Sequence, residues 1–139
     1  HFETGVGQMR DIALEDGSTL HLNSDSEVEA RFTSNGRKVR VLKGEASFEI
    51  SHDPDRPFDV EARAAVIRAV GTAFNVRLRP SLVELTVTHG TVTVHSGDSP
   101  QQQVVAGSGA VIQPRSIERT PPSASHQIRS ASLSELRYM

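Results

Sequence analysis

The sequence contains no cysteine and no tryptophan, and only one tyrosine and five phenylalanines. Without cysteine there is no disulfide, no thiolate metal centre and no cysteine nucleophile. With aromatics at 4%, the interior has to be built from Val, Leu, Ile and Ala around a few phenyl rings. Such a core suits thin β layers better than a deep interior. An excess of one charge is also missing. The net charge is −2 and no run of like charges stands out, so nothing here attracts a polyanion and nucleic acid is not an expected partner. The sequence holds no leader pattern and no stretch of about 20 apolar residues, which says nothing of what precedes His1. Its 139 residues are one domain's worth of chain.

What is present is alternation. Val39, Val41, Ala46, Phe48 and Ile50 occupy alternate positions, separated by Arg40, Glu45, Ser47 and Glu49. Strand side chains point to opposite faces with period two, so each such run has a buried face and a wet one. Val76 and Leu78 resume the pattern after Ala73-Phe74, while His52-Asp53-Pro54-Asp55-Arg56-Pro57 is turn chemistry, its prolines unable to donate to a ladder. Upstream, Ile12 and Leu14 lead through Glu15-Asp16-Gly17-Ser18 to Leu20 and Leu22. Asp-Gly between alternating hydrophobics is a hairpin signal. Val28, Ala30 and Phe32 form the next strand, and Leu85, Val87, Val92 and Val94 flank Gly90.

Glycines 17, 44, 71, 90 and 109 each precede a short hydrophobic strand. The expected fold is therefore all-β: a twisted β-sandwich or a β-solenoid-like stack of short strands with glycine corners. Residues 1–113 are expected to form this domain. Residues 114–139, rich in Pro and Ser, read as a flexible linker or tail in which Leu133, Leu136 and Tyr138 could dock or lead to a further subdomain. The acids Glu15, Asp16, Asp53 and Asp55 read as local turn residues. The basic group Arg37, Lys38, Arg40 and Lys43 reads as a solvated face or a patch for an acidic partner. His21, His89 and His95 lack metal-ligand spacing and read as solvated, so no metal or cofactor is expected. Glycoside hydrolysis needs two carboxylates across a cleft, and no aromatic platform is available to hold a sugar.

Four elements in order carry a family resemblance: Leu14-x-Asp16-Gly17-Ser18-x-x-x-Leu22-Asn23, Gly44-Glu45-Ala46-x-Phe48-x-Ile50, Arg56-Pro57-Phe58-x-Val60 and Val70-Gly71-Thr72-x-Phe74-x-Val76. Across roughly residues 4–113 the chain resembles the FecR family. The resemblance implies the periplasmic part of a single-pass inner-membrane regulator, an anti-sigma factor acting on an ECF-type sigma factor. A TonB-dependent outer-membrane receptor loaded with an iron chelate would contact it through the receptor's own signalling domain. The membrane span and the cytoplasmic sigma-binding segment, absent from this sequence, are expected upstream. Family members often continue into a small α/β subdomain, which this sequence does not include.

Gly71-Thr72 is the candidate for chemistry. Some members of the family this chain resembles are similar to self-cleaving proteins at this step. A threonine hydroxyl can attack the preceding carbonyl in an N-to-O acyl shift, after which water hydrolyses the ester. The plainer reading makes Gly71 a bulge and Thr72 a partner of the neighbouring strand. Three functions are thus expected to compete: an interaction module that relays contact with a receptor, a self-processing domain without other enzymatic activity, and a cupin-like small-molecule or metal-binding barrel.

Overall fold

The computed structural model describes residues 1–97, 99–113 and 116–121. The alternating runs become fourteen strands in two seven-stranded sheets, with no helix among the described residues. One sheet contains β1 (Phe2–Glu3), β4 (Glu27–Phe32), β5 (Arg37–Lys43), β7 (Phe58–Ala62), β8 (Ala65–Ala69), β11 (Thr91–Ser96) and β12 (Gln102–Val105), in that spatial order. The other contains β2 (Arg10–Ala13), β3 (Thr19–Leu22), β6 (Glu45–Glu49), β9 (Ala73–Leu78), β10 (Val83–His89), β13 (Gly109–Gln113) and β14 (Ser116–Thr120), also in spatial order.

Strand order in each sheet therefore follows chain order. The chain lays hairpins on one layer and then the other while advancing along a single axis. The two expected architectures, sandwich and stack, are one object. All strand pairings are antiparallel except β5 with β7, which are parallel. Parallel neighbours need a crossover, and here the crossover is β6 in the opposite sheet plus the loop that returns from it.

The core lies between the layers and takes one residue in two from each strand. Leu20, Leu22, Val39, Val41, Phe48, Val60, Ile67, Val76, Leu85 and Val94 are all buried. The few rings cluster. Phe48 stacks on Phe74 at 5.1 Å between centroids and meets Phe58 edge-on at 6.2 Å, and Phe58 meets Phe32 edge-on at 5.9 Å. Edge-on and offset contacts suit the ring quadrupole. Val76 lies opposite Ala46 across β9 and β6.

Two features depart from the expectation. The first is a β7–β8 hairpin that turns at Arg63-Ala64 with no glycine or asparagine; Arg63 itself takes φ 56°. Its guanidinium donates to the Leu82 carbonyl at 2.9 Å, which anchors the turn. The second concerns the linker expected from residue 114. Ser116–Thr120 pairs with β13 in full register, because Ile117 turns its side chain into the core. Leu133, Leu136 and Tyr138 lie outside the described residues.

Candidate functional site

Three separated stretches meet at one end of the sandwich: the β2–β3 turn, the loop between β6 and β7, and the start of β5. The turn folds on itself first. Asp16 accepts from the Ser18 amide at 2.9 Å and the Ser18 hydroxyl at 2.7 Å, the local bonding that favours Asp in turns. Gly17, between them, is solvent-exposed. Ser51 then ties turn to loop: its amide donates to Ser18 Oγ and its hydroxyl to the Asp16 carbonyl, both at 2.9 Å.

Arg37 closes the arrangement. Its Nη1 lies 2.6 Å from Asp16 Oδ2, with 0% of the Arg37 side chain and 1% of the Asp16 side chain exposed. The same guanidinium donates to the carbonyls of Ser51 (3.1 Å), Arg56 (2.9 Å) and Asp53 (3.4 Å), and it lies over the Phe58 ring at 5.3 Å. A planar five-donor fork suits this task where a lysine would not. Burial raises the Asp16 carboxyl pKa, but the Ser18 amide, the Arg37 guanidinium and the Ser18 hydroxyl outweigh it and hold the group below 3.8. Two expectations are corrected here. Arg37 is not part of a solvated basic face, and Asp16 is not merely a turn residue; together they form a buried ion pair joining the two sheets. The Asp-Gly turn signal located Asp16, and period two places Arg37 in phase with the buried Val39 and Val41, but alternation does not supply the acid that lets an arginine occupy that face.

The loop is stiffened from outside. Arg56 Nε donates to Asp53 Oδ2 at 3.1 Å, and this bond, opposed by desolvation, lowers the Asp53 carboxyl. Pro57 accepts at its carbonyl from the Arg37 amide at 3.1 Å, which starts the β5–β7 register. Gly44 and Glu45 sit at the opposite end of β5. Gly44 takes φ 79°, and a Cβ there would lie 2.7 Å from the Asp25 carbonyl oxygen, so only glycine fits this corner. Glu45 accepts from Asn23 Nδ2 at 2.7 Å and Asn75 Nδ2 at 2.8 Å, spanning three strands.

Gly71 and Thr72 join β8 to β9 beside the same loop. The Ile50 amide donates to the Thr72 carbonyl at 2.8 Å and the Asp53 amide to the Val70 carbonyl at 3.4 Å, so the loop is docked on both sides of Gly71. Thr72 is 7% exposed. Its Oγ1 is the one buried side-chain polar atom among the described residues that has no hydrogen-bond partner. The expected neighbour-strand bond from Thr72 is therefore not made by its hydroxyl.

The histidines do not converge. His21 and His89 belong to one sheet and His95 to the other. His21 Nδ1 lies 2.7 Å from Asp11 and its Nε2 3.4 Å from Glu49 on the outer face. Among the described residues, the grouping of ligand-type atoms is His1, Glu3 and Glu27 on the exposed β1–β4 edge, where His1 Nε2 pairs with Glu27 at 2.7 Å. Of the remaining basic group, Lys38 and Arg40 pair with Glu61 at 3.1 and 3.2 Å, and Lys43 pairs with Asp25 at 2.7 Å.

Comparison with known proteins fits this geometry. A family model described as FecR protein matches residues 1–93. Two crystal structures of a "putative anti-sigma factor" from Parabacteroides distasonis ATCC 8503, at 2.50 and 1.65 Å resolution, align with TM-scores of 0.79 and 0.80 at 25% identity. Each alignment covers 89% of this chain and 60% of the other, so the chain spans less than two thirds of those proteins. No functionally curated protein matches significantly.

Proposed function

The chain belongs to the FecR family, and from that premise we propose that it is the sensing and relay domain of a transmembrane regulator of an ECF-type sigma factor. In this reading the domain stands in the periplasm and receives an iron-uptake signal by contact with the signalling domain of a TonB-dependent outer-membrane receptor. One observation supports it above the others. Of the residues that carry the family resemblance, Asp16, Ser18, Arg56, Pro57 and Phe58 gather around Arg37 into a knot that fastens the two sheets. They serve to fix one arrangement of loops, as a contact surface requires, and they do not line a reaction cleft.

The test uses the full-length regulator in cells carrying a sigma-dependent reporter. Exchanging this domain for an unrelated β-sandwich should abolish induction by the receptor's ligand while leaving the cytoplasmic segment able to bind the sigma factor. Undiminished induction after the exchange would refute the reading.

A second, compatible reading is self-processing at Gly71-Thr72. The observation that favours it is the buried Thr72 hydroxyl without a partner. An unsatisfied buried hydroxyl carries a desolvation cost of about 1–3 kcal/mol, and a group retained at that cost is free to act as a nucleophile. On a denaturing gel the purified chain should resolve into two fragments and the Thr72→Ala chain into one. A single intact band for both would exclude the reaction.

A further inference from the structure

We propose that His52 is the proton-transfer group for scission of the Gly71–Thr72 peptide bond; this rests on the self-processing reading and names the side chain that serves it. The peptide is held between two elements. On one side lies the exposed loop after β6: a Cβ added at Gly71 would stand 2.9 Å from His52 Nδ1 and 3.1 Å from His52 Cβ. The imidazole thus occupies the space that any larger residue at position 71 would fill. On the other side lies the β10–β11 turn. Gly90 takes φ 76°, and a Cβ there would stand 2.8 Å from Thr72 Cγ2 and 3.1 Å from the Gly71 carbonyl oxygen. The close approach on both sides therefore depends on Gly71 and Gly90 having no side chain.

Thr72 is buried with its hydroxyl unpartnered, whereas Gly71 and His52 are exposed. The hydroxyl oxygen adds to the Gly71 carbonyl carbon, forming a C–O bond. The C–N bond to Thr72 breaks, and the departing nitrogen takes a proton from the His52 imidazolium. The hydroxyl proton passes to water and the imidazole is reprotonated from solvent, so the proton count is unchanged. Water then adds to the ester and its C–O bond breaks, regenerating the Thr72 hydroxyl; the proton shed by the Gly71 carboxylic acid goes to the freed Thr72 amine, leaving a carboxylate and an ammonium. As a side chain that hands a proton to the leaving group in the transition state, His52 contributes about 10²–10⁴ in rate. The charged and titratable groups on the elements around it are Asp53, Asp55 and Arg56 on its own loop, the Arg37–Asp16 pair beneath, and His89 at the end of β10, opposite Ala73.

The test measures the first-order rate of chain scission for the wild-type, His52→Ala, His52→Gln and Thr72→Ala chains, with and without added imidazole and hydroxylamine. Both His52 variants should cleave about 100-fold more slowly, and imidazole should restore His52→Ala but not Thr72→Ala. Hydroxylamine, which captures the ester, should speed wild-type scission. Wild-type rates in both folded His52 variants would overturn the assignment of His52 and leave self-processing standing. A wild-type chain that stays intact even with hydroxylamine would overturn both.

Discussion

Arg37 Nη1 lies 2.6 Å from Asp16 Oδ2, and the two residues come from different sheets. The pair therefore acts as a cross-layer tie, with the guanidinium laid over Phe58 at the edge of the phenylalanine cluster. Removing one member of a buried, hydrogen-bonded pair strands the other and costs about 3–5 kcal/mol. Arg37→Met and Asp16→Asn should each lower stability by about that amount in urea unfolding. The double variant should lose less than the sum, because the partners share one interaction. Additive losses below about 1 kcal/mol would show that the pair contributes no more than a surface ion pair.

The same carboxylate sets an acid limit. Its folded pKa lies below 3.8, so the stability it contributes is fully present above the unfolded value and is lost as pH falls through the folded one. The stability difference between wild type and Asp16→Asn should be constant from neutrality down to about pH 4 and shrink below it. A difference that stays constant into stronger acid would contradict a depressed Asp16.

His21 gives the opposite sign on the outer face of the second sheet. The Asp11 carboxylate, hydrogen-bonded to Nδ1, raises the imidazole above 6.5; desolvation opposes this and Glu49 adds to it. Its contribution is fully present below the unfolded pKa and is lost as pH rises through the higher folded value. Melting temperatures of wild type and His21→Gln should differ most near pH 5–6 and converge by about pH 9. A gap that widens with pH would mean that the Asp11–His21 contact does not hold a charged imidazole.

Thr72 offers a stability test of its own. Replacing a buried, unpartnered hydroxyl by a methyl group of the same shape removes a desolvation cost, so Thr72→Val should stabilise the fold by about 1–2 kcal/mol. Destabilisation by a similar amount in thermal or urea melts would mean that the hydroxyl has a partner in solution.

Much of this fold can be read from single residues. The alternation of Val39 with Val41 and of Ala46 with Phe48 marks β5 and β6, and all four side chains are buried. The Asp16-Gly17 signal marks the β2–β3 turn. The β7–β8 hairpin is not legible, because its turn at Arg63-Ala64 uses none of the residues that favour positive φ. Nor does period-two reasoning reveal which layer each hairpin joins, since both layers present the same alternation; the parallel β5–β7 pairing follows from that hidden choice. Arg37 was hidden for a different reason. Alternation puts it in phase with the buried Val39 and Val41 and out of phase with Lys38 and Arg40, which pair with Glu61 on the outside; what alternation cannot supply is the acid beneath it, which comes from a turn 21 residues away in the chain.

The most direct test of the relay is titration of the folded domain with the isolated signalling domain of the TonB-dependent receptor, followed by heteronuclear NMR. The expected result is saturable binding, with resonance changes gathered on a continuous patch of this domain, while divalent metal and iron chelates alone leave the spectrum unchanged. No binding to any receptor signalling domain, together with tight capture of a metal or small ligand, would contradict a domain that works by contact.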